Sequence, residues 1–393
     1  MRRIADALLA VVAASIPLST TGMEGGVLAL GGLTLLAGIR GRWVPRRTPL
    51  DAVLVVFYAT LALSTLASGH PLAAPGWLRL WVVLTFFVVA WWVRDRRHAA
   101  HLARVVAVAG TVAAAYGIVQ HFTGVDWYRG LLGRPRRIAP RAPGAAGFAV
   151  VGFFRNYLTF AHVMIFPFAW TTAAALAGRR CGVAAAVLAA VAIVFSTARG
   201  AWLAAAATVG ALAAIARRRA AAALLAGLAL VAAAVLCASA DRRAEVQGMF
   251  GLGGMNAPRV AIYRANLDIV HDHPLLGLGF GRYATAAAPY YDAHPAADRR
   301  SHAHSNYLQL AAEAGLAGLG AFVLVLAAGL RLGWRAQARA GEAEAWAAAA
   351  GAWAALVGFV VGGLTQYTFG DNEVAVAFWF ALGLLARLGA DEA

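Results

Sequence analysis

The sequence predicts an all-α fold, a polytopic membrane helix bundle with about twelve transmembrane helices. Of its 393 residues, 61% are hydrophobic and only 13% are charged, whereas soluble domains carry about 25% charged residues. The sequence contains repeated apolar runs of about 20 residues, the length that is needed to cross a bilayer. These runs are continuous rather than alternating, which excludes a β-barrel. We therefore treat residues 1–393 as a single integral membrane domain.

The predicted membrane helices occupy about 4–20, 24–40, 51–68, 76–94, 102–122, 157–177, 182–198, 200–216, 220–239, 306–330, 345–365 and 373–389. The first run follows Met1, Arg2 and Arg3 and resembles a signal peptide. We interpret it as the first membrane helix, because no clear small-residue cleavage site follows and further spans come at once.

Arginine sets the predicted orientation. With a cytoplasmic N-terminus, every short basic connection falls in the cytoplasm, as the positive-inside rule requires: 40–47, 94–104, 179–180, 217–219 and 331–339. The C-terminus is then cytoplasmic, and Cys181 and Cys237 fall on opposite sides of the membrane. The net charge of +16 belongs mostly to these loops, so we expect membrane lipids and no nucleic acid as partners.

Two long connections lie on the outer side. The loop 123–156, between the fifth and sixth helices, carries six arginines, including Arg155, against the single acid Asp126. One interpretation is that a long loop is partly exempt from the positive-inside rule. The other is a surface for anionic headgroups or a diphosphate. Both remain open.

The larger outer loop, 240–305, lies between the ninth and tenth helices and should contain short amphipathic helices. Asn256 is a suitable N-cap and Pro258 suits a first helical turn. The apolar face of this predicted helix consists of Val260, Tyr263, Leu267 and Val270, with Arg259 and Arg264 at its edges. Three glycines, Gly277, Gly279 and Gly281, then predict a flexible turn, whose spacing does not by itself indicate a nucleotide site.

The residues most suited to chemistry lie at the predicted outer boundary of the membrane. Asn306, Gln309 and Glu313 form one polar stripe at the start of the tenth helix, just below His304, and polar groups inside a membrane helix indicate function. A histidine can act as a base near neutral pH. Two arginines, Arg199 and Arg259, can neutralise a diphosphate. Together they suit the transfer of a group from a lipid diphosphate to a hydroxyl.

A metal site is the competing interpretation of this region. Its potential ligands would be His271, Asp272, His273, Asp292, His294, His302 and His304. Their spacing matches no standard zinc signature, so we expect neither a metal nor another cofactor.

Three sequence blocks resemble the O-antigen ligase/O-antigen polymerase superfamily of bacterial envelope glycosyltransferases. Residues 196–202 (STARGAW) are similar to its Ser-Arg-Gly-Ala-Trp block. Residues 259–269 followed by 273–279 (HPLLGLG) are similar to its Arg-led helix and Pro-Leu-x-Gly-x-Gly turn. Residues 303–309 (AHSNYLQ), with Glu313, Gly315 and Gly318, are similar to its Ala-His-Asn-x-Tyr-Leu-Gln block. Residues 152–157 are a weaker match, and Ser305 stands where asparagine is common.

The resemblance implies a multi-pass protein of the bacterial inner membrane that performs a metal-independent, inverting transfer on its periplasmic face. The donor would be a glycan on undecaprenyl diphosphate, and for a ligase the acceptor would be lipid A-core. His304 would activate or orient the acceptor hydroxyl, while Arg199 and Arg259 would bind the diphosphate. Arg264, Arg155, Asn306, Gln309 and Glu313 are the further expected substrate contacts.

Two alternatives remain beside the ligase. An O-antigen polymerase shares these motifs and uses a second lipid-linked glycan as its acceptor. A solute transporter would place polar residues near the bilayer midplane at broken helices, whereas the candidate residues here cluster at the outer boundary.

Overall fold

The computed structural model describes residues 1–41, 45–69, 76–134, 136–140, 147–216, 256–297 and 302–390, together with scattered positions between 222 and 247. Within these ranges the chain is mainly helical. The strands found there are one short antiparallel pair, β1 (Val125–Asp126) and β2 (Arg136–Arg137). The predicted all-α class is therefore confirmed.

The helices are α1 (Arg2–Ser15), α2 (Thr20–Ile39), α3 (Asp51–Ala67), α4 (Leu84–Trp92), α5 (Arg96–Thr123), α6 (Trp127–Leu131), α7 (Tyr157–Leu176), α8 (Arg180–Phe195), α9 (Arg199–Ile215), α10 (Ala257–Asp272), α11 (Tyr283–Ala286), α12 (Ala288–Asp292), α13 (Asn306–Ala338), α14 (Ala343–Gly362) and α15 (Asn372–Ala390). A 3-10 segment, Trp77–Val83, leads directly into α4.

Six of the described helices are long and apolar enough to cross a membrane: α2, α5, α7, α13, α14 and α15. Each predicted span except the ninth overlaps a described helix. The ninth, at about 220–239, lies largely outside the described residues. The chain is thus a multi-helix membrane protein, while the total of twelve spans and the side on which each loop lies remain predictions.

The centre of the bundle is α7, which packs against α5, α8, α9 and α14. Its residues from Thr159 to Ala173 are buried without interruption. Glycines on neighbouring helices allow this close approach, because a Cβ at Gly110 would overlap Pro167 and one at Gly351 would overlap Trp170. Small residues at such positions let membrane helices pack backbone to backbone.

The predicted tenth membrane helix, α13, is broken at Gly315, which has φ 67° and ψ −171°. The turn 274–279 forms backbone hydrogen bonds with α13 on both sides of this break. The N–H groups of Leu278 and Gly279 donate to the carbonyls of Ala312 and Glu313 at 2.9 and 3.0 Å. On the other side of the break, the N–H of Leu316 donates to Pro274 O at 2.8 Å. The turn therefore replaces the hydrogen bonds that the interrupted helix lacks.

The prediction of a flexible glycine turn is consequently wrong. Gly277, Gly279 and Gly281 all have positive φ, at 66°, 100° and 84°, and each packs tightly. A Cβ at Gly277 would lie 2.5 Å from the carbonyl carbon of Glu313, and one at Gly279 would overlap Ser68. Ser64 fixes the turn further, because its hydroxyl lies 2.7 Å from Leu276 O and 2.9 Å from Glu313 O, and accepts from the Phe280 N–H at 3.1 Å.

The helix expected after Asn256 exists as α10, but two details differ from the prediction. The Asn256 side chain makes no capping hydrogen bond, although Pro258 does lie in the first turn. The buried face consists of Ala261, Ile262, Ala265, Asn266 and Ile269, and not of the larger apolar residues expected, of which Leu267 is exposed. The reason is that α10 packs against a tyrosine cluster formed by Tyr283 and Tyr291. Within it, Tyr283 donates to the buried Asn266 amide oxygen at 2.9 Å.

The basic loop 123–156 is folded onto the end of α5 within the part of it that the structure describes. Gln120 accepts from the Gly152 N–H at 2.8 Å and donates to the Gly152 carbonyl at 2.9 Å. His121 contacts Phe148 O at 2.8 Å and stacks on Phe195. Asp126 is buried and pairs with Arg129. This loop is therefore a structured extension of the bundle.

Candidate functional site

The site is organised around the connecting turn, residues 363–371, which joins α14 to α15. From the sequence alone, residues 365–372 are interpreted as an outer connection that is poor in charge. In the structure, three distant parts of the chain contact its first residues, 364–366. These parts carry the three predicted catalytic side chains, His304, Arg259 and Arg199.

His304 lies just before α13 and contacts Gln366, its Nδ1 being 3.0 Å from the amide oxygen. An amide oxygen only accepts hydrogen bonds, so Nδ1 carries the proton and Nε2 carries the lone pair. The Asn306 N–H donates to Gly363 O at 2.8 Å, which fixes the start of α13 to the same turn. His304 is thus positioned with Nε2 as its basic atom.

Arg259 lies in the first turn of α10, the helix that contacts the connecting turn. One helical turn further along, the Tyr263 hydroxyl lies 3.1 Å from Leu364 O and 3.3 Å from His304 O. Burial raises the pKa of Tyr263, and the Arg259 charge opposes this only in part, so the hydroxyl remains a donor at neutral pH. The charge of Arg259 also acts on His162 of α7.

Arg199 is the first residue of α9. Its neighbour Gly200 touches the connecting turn so closely that a Cβ there would overlap the Thr365 hydroxyl. Two residues earlier, Thr197 has φ 63°, and His304 has φ 52°. They are the non-glycine residues with positive φ in the described chain. Such strain costs about 1–3 kcal/mol and concentrates at functional sites.

A cavity of about 890 Å³ opens beside the connecting turn. Its described lining includes the predicted residues Gln309 and Glu313 and residues 366–374, and it also includes Tyr58, Arg79, Thr159, His162, Arg282, Tyr283 and His302. His304, Arg199 and Arg259 are not among its described lining residues, although their neighbours His302, Gln366 and His162 are. The structure therefore brings their backbones together at the edge of the cavity.

Two cavity arginines were missed by sequence reasoning. Arg79 lies in the 3-10 segment before α4, and its charge acts on Glu313 and on Tyr367. Arg282 follows the glycine turn and also lines the cavity. Arg79 interrupts a predicted membrane run near its outer end, which is the signal that could have identified it.

Gln309 and Glu313 are buried residues that both face the cavity and position the backbone around it. The Gln309 amide oxygen accepts from the Ala303 N–H at 2.7 Å, next to His304. The Glu313 carboxylate accepts from the N–H groups of Gly281 and Tyr283 and contacts Gln309. These two side chains connect α13 to the segments that carry His304 and Arg282.

The other three predicted substrate contacts have different surroundings. Asn306 uses its amide within the connecting turn, donating to Thr368 at 3.0 Å and accepting from the Phe369 N–H at 2.9 Å, so its role is structural. Arg264 is exposed on α10 and does not belong to the described cavity lining. Arg155 is also exposed, but its charge acts on Glu373 in the cavity wall.

A carboxylate pair lies at the far side of the cavity, at the start of α15. Asp371 accepts from the Thr159 hydroxyl at 2.5 Å, and Glu373 accepts from the Thr20 hydroxyl at 2.8 Å. Burial and the neighbouring Glu373 carboxylate raise the pKa of Asp371 well above its usual range. The pair adds hydrogen-bonding groups of the kind that bind sugar hydroxyls.

The histidines and aspartates of the large loop do not converge as a metal site would require. Among the residues that the structure describes, no group of three His, Cys, Asp or Glu side chains is arranged to hold a metal ion. His294 instead contacts Asp268 at 2.6 Å, and His271 contacts Asp272 at 3.2 Å.

Comparison with known proteins identifies one part of the chain. Residues 184–323 match a family model described as O-antigen ligase. The match begins within α8, ends within α13, and contains Arg199, Arg259, His304 and Glu313. No curated protein matches the chain.

Proposed function

Since residues 184–323 match a family model described as O-antigen ligase, we propose that this membrane protein is an O-antigen ligase-type glycosyltransferase. It moves a glycan from undecaprenyl diphosphate to a hydroxyl of lipid A-core. The reaction is inverting and metal-independent, and it takes place at the periplasmic face of the bacterial inner membrane. The observation that supports this proposal is that the segments carrying His304, Arg259 and Arg199 converge on residues 364–366, through His304, Tyr263 and Gly200, beside a cavity of about 890 Å³.

In this mechanism the acceptor hydroxyl attacks the anomeric carbon of the donor glycan, and the bond between that carbon and the diphosphate oxygen breaks. Nε2 of His304 takes the hydroxyl proton, since Nδ1 already donates to Gln366. Arg199 and Arg259 neutralise the negative charge that develops on the departing diphosphate. A single displacement inverts the configuration at the anomeric carbon.

The transporter alternative has one feature in its favour, the break in α13 at Gly315. Broken helices in transporters expose backbone groups that bind ions or substrates. Here the turn 274–279 occupies those groups with its own backbone. The break therefore supports a fixed scaffold better than an ion site.

The experiment uses a strain that lacks the gene and is complemented with wild type, His304→Ala or Arg259→Ala. Because each variant removes a group that acts on the transition state, we expect the activity to fall at least 100-fold, as is typical of such groups. Lipopolysaccharide gels should then show lipid A-core without an O-antigen ladder, while full-length glycan accumulates on the prenyl carrier. Immunoblots check that each variant is present in the membrane.

A matched control lies close to these residues. His273→Ala removes an exposed histidine from the same loop as His304. This variant should retain the ladder. Core bearing one repeat unit in the null strain would identify the polymerase instead, and a normal ladder in the null strain would reject both enzymes.

A further inference from the structure

His162 is a buried histidine that the mechanism above does not use. It lies in the second turn of α7, is 4% exposed and lines the cavity. Thr159, on the same side of α7, lines the same cavity and donates to Asp371. Sequence reasoning placed His162 inside an apolar membrane run and assigned it no role.

The hydrogen bonding of His162 fixes which ring nitrogen is available. Nδ1 lies 2.8 Å from the carbonyl oxygen of Leu158, one turn earlier on the helix. Since that oxygen only accepts, Nδ1 carries the proton and Nε2 is an acceptor. Nε2 is buried and has no hydrogen-bond partner among the residues that the structure describes. A buried polar atom without a partner is uncommon and calls for an explanation.

The surroundings of Nε2 connect it to the proposed diphosphate site. A Cβ at Gly200, the neighbour of Arg199, would lie 3.8 Å from Nε2, and one at Gly362 would lie 3.5 Å from it. The two glycines therefore leave space around this atom. Arg259 lies close enough for its charge to act on His162. A second positive charge in this buried position is unfavourable, so the ring acts as a neutral acceptor and not as a partner for phosphate.

We propose that Nε2 of His162 accepts a hydrogen bond from a hydroxyl or amide N–H on the donor sugar that is attached directly to the diphosphate. This inference rests on the proposed function, because it takes Arg199 and Arg259 as the diphosphate contacts. Nε2 lies near Gly200, the neighbour of Arg199, and within reach of the Arg259 charge. With the diphosphate on these two arginines, the sugar attached directly to it is the part of the donor nearest to Nε2. His162 is then a specificity-determining residue, since a site built to bind a donor group discriminates against ligands that lack it.

The test measures direct binding to purified protein in detergent with two synthetic ligands. One is a short-chain prenyl diphosphate that bears a single N-acetylhexosamine, chosen because this sugar offers both hydroxyl and amide N–H donors. The other is the same prenyl diphosphate without a sugar. His162→Phe keeps a ring of similar shape without the acceptor, and His162→Gln keeps an acceptor near the position of Nε2. For His162→Phe we expect the Kd of the sugar-bearing ligand to rise about tenfold.

The same variant should bind the sugar-free ligand as wild type does, which also shows that it is folded. His162→Gln should recover most of the lost affinity. If His162→Phe weakens both ligands equally, or weakens neither, Nε2 does not recognise the sugar and the inference is overturned. Wild-type protein that binds neither ligand would overturn the proposed function itself, and this inference with it.

Discussion

The backbone angles of Thr197 and His304 are the clearest residue-scale sign of a site. A threonine has a β-branched side chain, and holding it at φ 63° is unfavourable. Thr197 immediately precedes the segment that places Arg199 at the start of α9, and His304 itself contacts Gln366 at the cavity. The folded protein tolerates this strain because the surrounding contacts hold the backbones of Thr197 and His304 in these conformations.

Asp371 provides a prediction at the same scale. Its pKa is raised in the folded protein by burial and by Glu373, so folding favours the protonated form. That contribution is present below the ordinary carboxyl pKa of about 3.9 and is lost as the pH rises through the raised folded-state pKa. We therefore expect wild type to lose stability relative to Asp371→Asn as the pH increases from about 4, so the Tm of wild type in detergent minus that of the variant should decrease over this range.

The control for this measurement is Glu342→Gln, which removes an exposed carboxyl and should retain the wild-type dependence of Tm on pH. Parallel profiles for Asp371→Asn and wild type would show that the Asp371 carboxyl does not titrate abnormally.

At the scale of the element, the glycine turn and the break in α13 form one structure. Sequence reasoning identified the turn from its glycines and Gly315 only as part of a block similar to the superfamily. It did not predict that Leu278, Gly279 and Pro274 supply the hydrogen bonds missing on both sides of Gly315. Such pairing joins residues that are far apart in the chain, whereas hydrophobic periodicity indicates only local secondary structure.

Gly315→Ala tests this pairing. At φ 67° and ψ −171°, a backbone region that essentially only glycine adopts, a non-glycine residue costs about 1–3 kcal/mol from the backbone alone, and its Cβ would overlap the Leu275 carbonyl. We expect a lower free energy of unfolding together with a loss of activity, measured by denaturation in detergent and by the ladder assay. Gly320→Ala, in the same helix but with nothing within 4 Å of its Cβ position, should stabilise the protein by about 0.5–1 kcal/mol.

The orientation of α10 shows a further limit of sequence patterns. Apolar periodicity favoured a face that includes Leu267, yet the helix buries alanines and Asn266 against Tyr283. The tyrosine cluster has few sequence signals, because its members lie in separate short helices. The types of residue that the site needs were therefore predictable from chemistry. Which face of each helix is buried, and which residues it contacts, depended on tertiary packing.

At the scale of the whole molecule, the site is assembled from residues near both ends of the chain. The segment 184–323 contains His304, Arg259 and Arg199, but the residues on which the parts carrying them converge, 364–366, lie between the last two helices. The cavity also includes Thr20 and Glu24 of α2. The matched domain therefore depends on the flanking helices to complete the site.

The proposed periplasmic site requires the predicted orientation of the bundle, and the two native cysteines test it. Cys181 and Cys237 are free and exposed. The arginine pattern places Cys181 in the cytoplasm, beside Arg179 and Arg180, and Cys237 at the periplasmic end of the ninth predicted span. A membrane-impermeant maleimide added to intact spheroplasts should thus label Cys237 only, and permeabilised cells should show label on both residues. Cys181→Ser and Cys237→Ser assign each signal. Labelling of Cys181 from outside would reverse the orientation and move the cavity away from a lipid A-core acceptor on the periplasmic face.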